Sequence, residues 1–109
     1  MRLDIVWWDL DQSSATIDSL REHLRQDAVE QWAEVRGLRL KFWIADRDRN
    51  RWGAVMVWEG DRPQVLPPNR ASELIGCPPT HRSVFTAEAV VEGAYTVAAL
   101  HGTGPVFTA

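Results

Sequence analysis

The sequence predicts a small α+β domain with elements in the order β-α-β-β-α-β, and three observations carry that reading. Residues 2–8, 38–45 and 52–59 are rich in β-branched and aromatic types, as strands are. Between the first two, Ile17, Leu20, Leu24, Ala28, Trp32 and Val35 recur at helical spacing. Prolines and glycines then punctuate the second half, and 109 residues is the usual size of one domain.

The elements follow in order. "RLDIVWW" is the first strand, and "DLDQSS" supplies caps, with Ser13 or Ser14 as N-cap and Asp18 in the first turn. The amphipathic helix then covers 15–35. Gln31 projects near the centre of its apolar stripe and Arg21 borders it; snorkelling is the structural account of both. Gly37 takes the position that closes the helix. Strands 38–45 and 52–59 form a hairpin across the charged loop "DRDRN". A second helix over 68–75 has prolines at its start and Gly76 at its end. "CPPTHR" is a stiff connection into a fourth strand, 83–92, and a tail over about 94–109 contains a Gly-Thr-Gly-Pro bend.

This order is the split βαβ, ferredoxin-like arrangement. Parallel pairings bridged by the two helices would put both helices on one face of a four-stranded sheet and leave the other bare. A bare apolar face calls for a partner, and a chain this short gains from one. The second and fourth strands lie at opposite edges, so Lys41 and Glu88 are too far apart to pair within one subunit.

Composition narrows the function. A net charge of −3 with no basic run argues against nucleic acid and anionic membrane as partners. No window approaches a membrane span, and the first residues lack a secretory apolar core, so a soluble, cytoplasmic protein is expected. One cysteine, Cys77, provides neither a disulfide nor a thiolate cluster. No metal-ligand spacing and no phosphate or dinucleotide loop is present, so no metal and no cofactor is expected. Six tryptophans against one tyrosine imply large flat surfaces lining a core, an interface or a cavity.

Alternation sorts the hairpin into two faces. Leu38, Leu40, Phe42 and Ile44 point one way, with Gly53, Val55 and Val57. Arg39, Lys41, Trp43 and Ala45 point the other, with Ala54, Met56 and Trp58. If Asp46 opposes Arg51, Lys41 meets Met56 and Arg39 meets Trp58, where a cation–π contact is worth roughly 0.5–2 kcal/mol. Solvated edge-strand cations that discourage aggregation would give the same pattern. The functional reading is a mostly apolar cavity with a few placed polar groups. Among the histidines, His23 projects from the exposed flank of the first helix, His101 lies in the tail, and His81 enters the fourth strand from a stiff loop.

The run "GLRLKFWIADRDRNRWGAVMVWE" resembles the hairpin of the YdhR-like monooxygenase family, through Gly37, Lys41, Trp43 and Gly53, and "PPNRASELIGCPPTHRSVFTAEAVVEG" is similar to the second half of its actinobacterial members. Arg36 and the Gly53-Ala54 pair depart from the family pattern, which has Pro before the first glycine and Gly-Gly opening the third strand. The resemblance implies a homodimeric α/β barrel, its two sheets packed bare face to bare face. It also implies cofactor-independent oxidation of a small aromatic or polyketide-type substrate, in secondary metabolism. In such chemistry the deprotonated substrate itself reduces oxygen, and the protein supplies a pocket and anion-stabilising donors. The resemblance picks out Lys41 and Trp43 as candidate catalytic residues, and His81 joins them from its stiff loop at the cavity rim; Met56 and Trp58, on the same face of the hairpin, Arg21, bordering the helix stripe, and Trp7 are candidate substrate contacts. Related barrels act as cyclases, isomerases or ligand binders, so those activities stay open. In the structural alternative, Trp43 fills the core and Lys41 snorkels along it to water.

Overall fold

The computed structural model describes residues 1–25, 29–68 and 70–94. Its elements in chain order are β1 (Arg2–Asp9), α1 (Ile17–His23), α2 (Glu30–Ala33), β2 (Leu38–Asp46), β3 (Arg51–Trp58), α3 (Arg70–Ile75) and β4 (His81–Thr86). The four strands make one sheet in the order β2-β3-β1-β4, with β2 and β4 at the edges. Every neighbouring pair is antiparallel. The expected parallel pairings are therefore corrected: each helical crossover links strands that run the same way but skip one neighbour.

Register sets the two faces of the sheet. On one, Asp4, Val6 and Trp8 of β1 oppose Met56, Ala54 and Trp52 of β3. These are buried, and Ile17 and Leu20 of α1 and Ile75 of α3 close over them. On the other face Leu3 opposes Val57 and Ile5 opposes Val55, and no described element covers them. Trp7 of that face lies across Gly53, where an added Cβ would sit 2.9 Å from Trp7 Cβ and collide with the Val6 carbonyl. Only glycine allows β1 and β3 to approach this closely there.

The first helix is shorter than its apolar periodicity suggests. Thr16, not Ser13 or Ser14, is its N-cap: the Ser19 amide donates to Thr16 Oγ1 at 2.9 Å, and the Thr16 amide donates to Ser19 Oγ at 2.9 Å. Ser13 instead ties the loop to α3, its hydroxyl donating to the Ile75 carbonyl at 2.8 Å. After His23 the backbone widens into a π-type turn at Leu24 and Arg25, and α2 is a further short turn of helix. Ala28 of the expected stripe lies outside the described residues.

Other junctions follow their local chemistry. Gly76, at φ 95°, closes α3 by donating its amide to the Ser72 carbonyl at 2.8 Å. Gly37, at φ 83°, turns the chain into β2 rather than capping a continuous helix. In the hairpin Asp46 does oppose Arg51 and Lys41 does oppose Met56. An irregularity between Leu38 and Leu40 then puts Leu38, not Arg39, opposite Trp58. Arg39 is exposed and pairs with Glu59 at 2.7 Å. β4 ends at Thr86, so Glu88 lies beyond the strand and is exposed. The tail from residue 95 onward, with His101, lies outside the described residues.

Candidate functional site

The site begins with a placement problem on an edge strand. Lys41 and Trp43 alternate onto the face of β2 where the core forms, so the Lys41 amine is carried toward the apolar side of the sheet. The α2 turn then lays Trp32 over the same strand. Lys41 Nζ lies 3.1 Å from the Trp32 ring centroid and 4.6 Å from that of Trp43. Two indole faces thus flank one amine, and both favour its ammonium form.

Beyond the amine a cavity of roughly 130 Å³ opens between the sheet and the helices. At about 10–15 Å³ per enclosed water, it has room for a ligand of one or two rings. Val6, Ala54 and Met56 form its floor, Leu20 and Ala71 belong to its roof, and Leu66 and Pro67 close it from the segment after β3. Arg62 of that segment also lines it.

Electrostatics single out Lys41. Burial, and after it the positive charge of Arg62, lower its pKa from 10.5 to about 7. It is also the chain's only lysine, the rest of the twelve basic Lys and Arg residues being arginine. An arginine cannot lose its proton in a protein, whereas a desolvated lysine can serve as a base near neutrality. That composition signal was in the sequence and separates Lys41 from every other cation.

Behind the cavity a charged cluster holds Arg62. Asp4, 1 % exposed, accepts from Arg2 Nε at 2.7 Å, and Arg62 Nε stands 3.9 Å from its other oxygen. Two arginines thus serve one carboxylate. Arg62 Nε is buried without a hydrogen bond, as is His23 Nε2.

The residues singled out from sequence divide between the two faces. Lys41, Trp43 and Met56 line the cavity together. Trp58 shares their face but lies beneath it, 0 % exposed in the core and outside the lining. Arg21 is half-buried on α1 and does not line the cavity. Trp7 and His81 oppose each other across β1 and β4 on the uncovered face, so neither reaches the cavity or its rim. There the rings stack at 3.9 Å between centroids and 13° between planes, and Arg51 lies over Trp7. His81 Nε2 is in hydrogen-bond contact with Ser83 Oγ.

Three lining residues escaped the reading from sequence. His23, expected on an exposed flank, is the last residue of α1, half-buried, and lines the cavity. Trp32 counted only as one more member of an apolar stripe. Arg62 sits in a loop whose path no local pattern specifies.

The lining offers an amine, guanidinium groups and an imidazole. Among the described residues no group of three or more His, Cys, Asp or Glu could hold a metal ion. No described helix is long and apolar enough to cross a membrane. The chain matches no family model, and no curated protein matches it.

The lowered pKa has a signed consequence for stability. Below pH 7 folded and unfolded chains both carry the Lys41 proton, and the fold bears the whole cost of the desolvated ammonium. From about 7 to 10.5 only the unfolded chain holds that proton, so this cost is relieved and stability rises with pH. Lys41→Met removes the group. Urea midpoints taken at pH 6 and pH 9.5 should show the variant's advantage shrinking with pH; parallel pH slopes for the two proteins would contradict it.

Proposed function

We propose that this protein is a cofactor-independent enzyme, monooxygenase-like, in which the Lys41 amine takes a proton from a small acidic aromatic substrate. The observation that carries the reading is the position of that amine: the only lysine, flanked by Trp32 and Trp43, at a cavity sized for one or two rings. A group poised near the working pH is the efficient general base. The lysine combines neutrality near pH 7 with reach into an apolar space.

The chemistry proceeds from an activated ring carbon. Its C–H proton moves to Lys41 Nζ, and the electron pair left behind delocalises onto a conjugated ring oxygen. The Lys41 ammonium formed in that transfer stabilises the developing oxyanion. Dioxygen, the second substrate, takes up the pair as a C–O bond forms, and the ammonium returns its proton to make a hydroperoxide. Loss of water converts the original CH₂ to a carbonyl, so one oxygen atom is retained and the other leaves as water. Trp43 and Met56 wall the ring in this scheme.

The test is oxygen uptake with a panel of polyphenols. The wild-type protein should consume oxygen with kcat/KM rising through pH 7, and Lys41→Met should lose on the order of 10²-fold or more. Product formed equally under strict anaerobiosis would assign the same base to a cyclase or isomerase. Full activity in Lys41→Met would remove the lysine from the chemistry, and no turnover of any panel member would leave a binding protein.

The same proposal extends to the assembly. The interleaved, all-antiparallel sheet with helices on one side supports a ferredoxin-like reading of the fold. Its uncovered side shows Leu40 at 48 %, Ile44 at 39 % and Phe85 at 53 % exposure, a surface suited to a second copy in a dimeric α/β barrel. Light scattering at micromolar concentration should give twice the 12.4 kDa chain mass. A stable monomer there would end the barrel reading.

A further inference from the structure

The charge lining the cavity is one-sided. Lys41, Arg62, Arg70 and Arg82 contribute to it with His23, and no aspartate or glutamate among the described residues joins them. Chance would favour the opposite, since the chain's 15 acids outnumber its 12 lysines and arginines. The cations are not equivalent. Arg70 already pairs with Glu73 at 3.3 Å. Arg62 is different: Arg2 holds the Asp4 carboxylate at 2.7 Å, while Arg62 itself stays 3.9 Å from it, its Nε buried and without a hydrogen bond. Its charge is in surplus, and Lys41 feels it. A low-dielectric cleft of one sign focuses ions of the other.

Shape narrows the anion. Trp43 and Met56 belong to a mostly apolar lining, and the volume admits one or two flat rings. An arginine fork matches the planar carboxylate in two parallel hydrogen bonds. The Arg62 guanidinium, facing a carboxylate that Arg2 already holds, is the group placed to take one from a ligand.

We propose that the cavity selects a flat aromatic ligand bearing a carboxylate, with the acid group on the Arg62 guanidinium and the ring between Trp43 and Met56. This rests on the cavity being the ligand site and names the class of ligand it takes; the Lys41 amine remains facing the ring. The substrate of the reaction above is accordingly an aromatic acid.

Titration calorimetry with 2-naphthoate and 2-naphthamide tests this, because the two share ring and shape and differ in charge. The wild-type protein should bind the naphthoate at least about tenfold more tightly, the scale of a charge-assisted hydrogen bond. Arg62→Gln should remove the preference for naphthoate over naphthamide. Equal affinities in the wild-type protein, or no binding of either probe, overturn the proposal whether or not the variant folds. A folded Arg62→Gln that keeps the preference overturns it as well. Naphthoate preference in a protein that turns over no substrate supports this inference and removes only the enzymatic one.

Discussion

Holding an amine away from water on the face of a sheet that also builds the core is costly, and the rest of the site follows from that constraint. β2 is an edge strand, and its alternation commits Lys41 to the side where Val6, Ala54 and Met56 pack. Snorkelling to solvent is the usual relief for such a lysine. Here Trp32 comes down over the strand from α2, and the amine lies against its ring, with Trp43 on the other flank. The indole faces supply part of what water would have given. Burial and Arg62 work against the charge, and the result is an amine near the midpoint of its titration at neutral pH.

The tryptophans divide the labour around that amine. Trp8, Trp52 and Trp58 are buried in the core, and Trp8 Nε1 donates to the Cys77 carbonyl at 2.9 Å, tying β1 to the segment after α3. Trp32 and Trp43 are the two half-buried rings that meet the lysine. Trp7 alone belongs to the uncovered face, fixed between His81 and Arg51. Buried tryptophans flank the aliphatic floor of the cavity, over which short helices and a proline-containing loop form an irregular roof.

The first three strands and the hairpin register from Asp46 back to Lys41 were legible in the sequence because period-two alternation and the Asp46–Arg51 turn fix which side chains share a face; the irregularity beyond Leu40 and the bounds of the fourth strand were not. Lys41, Trp43 and Met56 were therefore found together, and so was the contrast between an aliphatic and a mixed face. His81 and Trp7 were misplaced because stiffness of a loop and aromatic character say nothing about which face a residue takes; only the β1–β4 register does. The long helix was overread because apolar spacing continues smoothly past His23, where α1 ends and the backbone widens into a π-type turn at Leu24 and Arg25. His23 stands at that end and lines the cavity. Arg62 and the buried Asp4 pair depend on the tertiary path of the segment after β3, which leaves no local trace.

Because Lys41 is the only lysine, its ionisation can be observed without interference. Protein labelled with ¹³C at lysine Cε should give one side-chain signal, and its chemical shift followed from pH 5 to pH 11 reports the amine directly, with no ligand or substrate needed. A titration midpoint near 7 is expected from the burial of Nζ and its proximity to Arg62. A midpoint at or above about 10, the range of a solvated lysine, would contradict a neutral amine in the cavity and with it the account of the site.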